Sequence, residues 1–334
     1  MKVSTFSGFM QEKIEFILNG HELSAKGSEL AKIFDVIPLW RFIPVSASTG
    51  RPPHSRLSIL KAFILKSALN ISENKQFIQI LKGHGEFRKL CGWTEAEEVP
   101  SEPTFSRVFR DFAQMNVAEH IHEYLVKTAF KDRIIMHISR DATAVPARER
   151  FRKKSKPHKV KGKRGRPPKG TSLKPKELTR LQKQLDRSFD EMVSELPFKC
   201  DSGCKINSQG NPDHWRGYKL HADFSDEGIP VSFMLTAASV HDSQVAIPLT
   251  IMSSGRATYL YELMDAGYDM PEIRTAERGF SELKDNYGIE KSRFRGYAKI
   301  KAHAGFAMIV LTMRKIFQHE YRFHNIIKLL ENAA

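Results

Sequence analysis

The apolar pattern of this chain changes period near residue 133, and that change limits the fold more than any other feature. Upstream, LSILKAFILKSAL and NKQFIQILKGHGEF space their apolar residues three and four apart. SEPTFSRVFRDFAQM opens with Ser101 and then Pro103, a helix start, and GRPPHSR and TEAEEVP are breaks. These spacings predict helices from 57 to about 129. RIIMHISRDATAV (133–145) alternates instead, with Ile135, His137, Ser139 and Asp141 on one face and Ile134, Met136 and Ile138 on the other. That is a strand delivering an acid at its end.

Further on, the helical period returns from Leu173 to Leu196 through Leu178, Leu181, Leu185, Phe189 and Val193. GYKLHADFS and GIPVSFMLTAASV read as strands joined by Asp226-Glu227-Gly228, a hairpin signal. His241-Asp242-Ser243 marks a helix start with Asp242 as its N-cap, and TYLYELMD (258–265) reads as another strand. Two helical stretches close the chain; in the second, the stripe Phe306, Ile309, Val310, Met313, Ile316 and Phe317 reads as core. No internal repeat is present. The order of elements predicts a mixed α/β domain with an insertion between its first two strands, preceded by an all-α domain.

The 334 residues suggest two domains, or one with a large appendage. Of the formal net charge of +15, eleven Lys and Arg fall between Arg150 and Lys169 with no acid, leaving about +4 elsewhere. A basic tether on a near-neutral body points to nucleic acid. That tether has no apolar periodicity with which to build a core. The N-terminus MKVSTFSGFMQEKIEF lacks the unbroken apolar core of a signal peptide, and GFAMIVLTM (305–313) is too short to span a bilayer. The expectation is a soluble protein of a reducing compartment. Cys91, Cys200 and Cys204 do not form a disulfide framework. Cys200-x₃-Cys204 with His214 lacks a fourth zinc ligand, so the thiols read as buried or incidental.

Phosphodiester cleavage by two divalent ions needs several carboxylates brought together from different elements, because Mg²⁺ prefers hard oxygen ligands. Asp141 after the first strand, Asp265 after YLYELM and Glu277 early in the next helix fit that need. Each taken singly also fits an ordinary turn or cap, since turns favour Asp. Composition alone does not decide between these readings.

Several stretches in order resemble an insertion-sequence DDE transposase of the large bacterial group with a Tyr-Arg-Glu-Lys signature. GRPPHSRLSILKAFIL and VPSEPTFSRVFRDF are similar to that family's N-terminal helical domain, and ISRDATAVPARER to the strand with its first catalytic Asp. WRGYKLHADFSDEGIPVSFMLTAASVHDSQ resembles the core hairpin and LMDAGYD the second-Asp motif. ERGFSELKDNYG and RFRGYAKIKAHAGFAMIVLTMRKI resemble the Glu-bearing helix and its continuation. The likeness spans about 50 to 318.

The resemblance implies an RNase H-like mixed sheet with flanking helices, with Asp141, Asp265 and Glu277 as a triad holding two Mg²⁺ (or Mn²⁺) ions. It implies helices in 1–130 that bind transposon ends, a catalytic domain in 131–320 with a basic insertion at 148–196, and a tail at 321–334. Expected partners are double-stranded transposon-end and target DNA and a second copy in a synaptic homodimer, with no membrane. The expected location is the bacterial cytoplasm, with the nucleoid. Glu277 and Lys284 are separated by six residues, as in the signature; two helical turns put both on one face, so that Glu277 holds metal while Lys284 reaches phosphate. Arg274 stands for the signature Arg.

The chain departs from the family pattern in two ways. Two residues rather than three separate Arg274 from Glu277, and the signature Tyr has no counterpart. Asp265 and Glu277 lie only twelve positions apart, where the family places several tens of residues. That spacing reads as an internal deletion, costing the sheet a strand and the site a wall. The expected function is therefore transposition chemistry, impaired by the deletion; the alternative is a non-catalytic DNA-binding remnant.

KRGRPPKG (163–170) resembles an AT-hook. Arg164 and Arg166, flanked by Lys163 and Lys169, suit insertion into a narrow A·T minor groove, and non-specific phosphate binding is the alternative. Trp215, Arg216, Tyr218 and Lys219 suit DNA stacking and clamping, or for the aromatics simple strand packing.

Overall fold

A computed structural model describes residues 23–43, 54–149, 180–206, 209–264 and 274–318. Asp265, the AT-hook-like segment with Lys163, Arg164, Arg166 and Lys169, and the tail 321–334 lie outside the described residues.

The N-terminal part is helical, as its apolar spacing predicts: α1 (Ala25–Val36), α2 (Arg56–Ala68), α3 (Asn74–Gly83), α4 (Gly85–Leu90), α5 (Glu102–Gln114) and α6 (Val117–Ala129). Local chemistry sets the starts. The Ser55 hydroxyl accepts from the Ser58 N–H at 3.2 Å ahead of α2, and α5 carries Pro103 in its first turn.

Among the described residues the second part is a five-stranded mixed sheet: β1 (Ile134–Pro146), β2 (Asp201–Ile206), β3 (Pro212–Ser225), β4 (Pro230–Ala237) and β5 (Thr258–Met264). β1 pairs antiparallel with β3 and parallel with β5. β4 runs along 218–224 of β3 and β2 along 212–217. The expected hairpin turn is present, with Gly228 at φ +74°, a conformation that glycine adopts without strain. Helices α7 (Arg180–Gln184), α8 (Phe189–Ser194), α9 (Ser243–Ser254), α10 (Arg274–Tyr287) and α11 (Tyr297–Gln318) accompany the sheet.

The core is shared between the two parts. α11 is buried on every side from Ala304 to Met313 and packs on α2, α5 and α6 as well as on β4. Phe63 and Phe306 stack at 5.9 Å between ring centres, and Phe109 and Phe294 at 4.1 Å. Burying each such side chain stabilises the fold by about 1.5–3 kcal/mol, so one continuous cluster from Leu30 to Ile316 ties the helical part to the sheet. Of the expected stripe, Phe317 alone is only partly buried.

Three expectations are corrected. The single helix expected up to Leu196 is two short ones among the described residues, and Leu181 and Leu185 are exposed. The reason is a capping box: the Ser188 hydroxyl accepts from the Glu191 N–H while Glu191 accepts from the Ser188 N–H, so a new helix starts there and buries Met192 instead. Asp242 stands at the N-cap position of α9, but its carboxylate makes no cap bond. It takes the Lys219 ammonium at 3.1 Å instead. Finally, Asp141 does not end its strand, because β1 continues to Pro146 along β3.

Candidate active site

The described part of the parallel pairing between β1 and β5 reaches Arg140 opposite Met264, and the residues next in sequence are two of the expected acids, Asp141 and Asp265, the latter outside the described residues. On the other side Asp141 is level with Ala222 and Ser139 with Phe224. Register partners share a face of the sheet, so Asp141 lies on the face of Ala222 and Phe224. The Asp141 side chain is half-buried, and its Oδ1 accepts from the Ala142 N–H at 2.6 Å.

α10 covers that same face. Phe280 meets Phe224 edge-on at 5.2 Å, and Gly279 lies flat on the Phe224 ring, where an added Cβ would come within 2.3 Å of ring carbon. Ala276, Phe280, Leu283 and Tyr287 form the buried stripe of the helix. Glu277 and Lys284 occupy one flank of that stripe, two turns apart, as their spacing predicts. Glu277 is exposed; Lys284 is half-buried and pairs with Glu290 at 2.8 Å. The backbone of Arg274 begins the helix.

The opposite face carries a polar network that sequence reasoning missed. Arg140 alternates with Asp141 and so points the other way. Its guanidinium grips Asp223 with two hydrogen bonds, Nε at 2.7 Å and Nη2 at 2.8 Å. Nη1 reaches the Ala246 carbonyl at 3.0 Å, Thr250 at 3.1 Å and Glu262 at 3.3 Å. Asp223 is wholly buried and also accepts from Ser253 at 2.6 Å; Glu262 accepts from Thr250 at 2.8 Å and Tyr259 at 2.6 Å. Burial works against the Arg140 charge, yet the hydrogen bonds and charge of Asp223 hold its pKa above the usual value. The only sequence signal was a polar residue on each strand at an otherwise buried position, and the partners are 83 residues apart.

Two other residues expected to touch DNA, Arg216 and Lys219, lie on β3. Arg216 is exposed on β3, whereas Lys219 is held by Asp242, which also faces His221 Nδ1 at 3.3 Å. Tyr218 is buried and donates to Glu149 at 3.0 Å, the packing role rather than the stacking one. Cys204 Sγ lies 3.9 Å from His214 Nε2, Cys91 is buried, and burial pushes Cys200 up to about 11. Among the described residues no three His, Cys, Asp or Glu side chains gather as a metal site. Among them, too, no helix is long and apolar enough to cross a membrane.

Comparison with known families gives two matches. Residues 19–111 match a transposase domain, DUF772, and residues 185–276 match a transposase DDE domain. The second begins after Asp141 and ends one residue before Glu277, so of the three acids it contains Asp265 alone. No curated protein and no solved structure matches the chain. A transposase N-terminal domain followed by a DDE domain defines the class. By these two domains the chain belongs with the insertion-sequence DDE transposases.

Proposed function

We propose that this chain binds double-stranded transposon-end DNA through its helical part and catalyses metal-dependent strand cleavage and transfer through an RNase H-like sheet. The observation that carries this is the parallel register that sets Arg140 opposite Met264, each one residue before an expected acid, with α10 laid over the Asp141 face.

The donor chemistry fits a hard divalent cation. Asp141 offers a half-buried carboxylate, and the guanidinium beside it in sequence, that of Arg140, is committed to the opposite face. Asp141, Asp265 and Glu277 would hold two Mg²⁺ or Mn²⁺ ions. Bound there, the ions would activate water and stabilise the departing oxygen. The chain's own task is then to position DNA. Lys284 exchanges Glu290 for a phosphate, Arg274 supports it, and Arg216 and the basic segment with Lys163, Arg164, Arg166 and Lys169 hold the duplex. Lys219 contributes only after leaving Asp242. Water and then a DNA 3′-hydroxyl are the nucleophiles, so no protein nucleophile is needed. Synapsis would bring two copies together.

A second reading is favoured by one observation. β5 has a neighbour on one side only among the described residues, and Leu260, Tyr261 and Met264 are exposed along it. This suits a sheet that has lost a strand between Asp265 and Glu277, leaving a DNA-binding remnant. Asp141→Ala separates the two readings. If the chain is an enzyme, the variant loses Mn²⁺-dependent nicking of end DNA and keeps binding. If wild type and variant bind equally and neither nicks, the remnant reading holds.

A further inference from the structure

We infer that Arg140 is a positioning residue: through Asp223 and Glu262 its guanidinium locks β1, β3 and β5 together directly beside Asp141. This rests on the reading of Asp141 as a metal ligand. Three facts carry it. Arg140 immediately precedes Asp141, Asp223 is adjacent to Asp141's partner Ala222, and Glu262 of β5 stands in register with Ile138, three residues before Asp141. One planar group therefore fixes the lateral spacing of three strands, and its bonds to Ala246 and Thr250 add α9 as a backing.

Energetics argue that the network serves position more than stability. One guanidinium faces two carboxylates, with Asp223 wholly buried, Glu262 15% exposed and Arg140 9% exposed. Desolvating such groups costs about as much as their attraction returns, and apolar side chains of equal volume would hold the layer as firmly. What apolar side chains cannot supply is a directional fork with fixed angles. Residues that orient metal ligands from behind typically change metal affinity by roughly 10–100-fold when altered. Lysine at 140 keeps the charge but makes no fork, so strand spacing would loosen without leaving Asp223 wholly unpaired.

The test is Mn²⁺ binding to the full chain, followed by electron paramagnetic resonance, alongside thermal unfolding. Wild type, Asp141→Ala, Arg140→Lys and Glu262→Gln are compared, with Arg56→Met as a control. Arg56 pairs with Asp111 within the helical part, so its loss leaves the sheet and α10 untouched. The expected result is Mn²⁺ binding lost in Asp141→Ala, weakened about tenfold in Arg140→Lys and Glu262→Gln, and unchanged in Arg56→Met. Folded Arg140→Lys and Glu262→Gln proteins that bind Mn²⁺ like wild type would overturn the positioning role and leave the triad intact. Should Arg140→Lys fail to fold, Glu262→Gln decides alone. Mn²⁺ bound equally by wild type and Asp141→Ala would overturn the triad, and the positioning role with it.

Discussion

Three histidines sit in places that water does not reach freely, and their chemistry makes the fold sensitive to acid. His221, between Thr236 at 2.9 Å and Asp242, is pushed down to about 4 by burial, with Lys219 and Arg140 adding to the effect and Asp242 opposing it. His303 is also pushed down to about 4, and burial holds His122 well below its ordinary value. An unfolded histidine takes a proton near pH 6.5, so between there and pH 4 the unfolded chain binds more protons than the native one. The stabilisation is complete above about pH 6.5 and is lost as pH falls. The fully buried His122 and His221 should together lower unfolding free energy by about 2–3 kcal/mol from pH 6 to pH 5, and Asp35, which burial raises to about 6, should offset part of that. Guanidinium titrations at the two pH values measure this. His221→Gln should reduce the drop by about 1 kcal/mol, and a variant profile that matches wild type would show that this ring is protonated in the native state. None of this burial was legible in sequence, because a histidine in an alternating strand looks the same whether its partner is water or Thr236.

At the level of elements, the placement of α10 on the sheet depends on one absent side chain. Gly279 allows the helix backbone to lie on Phe224, and a methyl group there would collide with ring carbon that cannot swing away, since Phe224 is fully buried. Gly279→Ala should therefore cost about 1–3 kcal/mol, read from denaturant midpoints, even though alanine favours helix. A variant of unchanged or higher stability would mean that α10 packs elsewhere. Elements with clean periodicity were legible: the N-terminal helices, the hairpin at Asp226-Glu227-Gly228, β5 and α11. The stretch before Leu196 was not, because the Ser188–Glu191 capping box outweighs a leucine spacing that leads nowhere buried. Asp141 was visible as a strand residue. That β1 runs on past it to Pro146 was not, because that length is set by pairing with β3.

The whole molecule joins a shared core to a strongly basic segment between β1 and β2 in sequence, and under the proposed function the two act differently on DNA. Removing 150–169 takes away eleven cations and no residue of the described core. Binding of end DNA by that deletion variant should weaken, and the slope of log affinity against log salt should shrink by about 0.9 for each phosphate that is no longer neutralised. An unchanged slope would exclude the segment from the interface. The central claim is that Asp141 and Glu277, on one face of this sheet, still support phosphodiester chemistry despite the short connection between Asp265 and Glu277. The most direct measurement incubates the purified chain with its element's end DNA and Mg²⁺ or Mn²⁺ and resolves the products on a denaturing gel. The prediction is slow nicking that disappears with chelator and in both Asp141→Ala and Glu277→Gln. Intact DNA with the wild-type chain, or nicking that survives both substitutions, would contradict it.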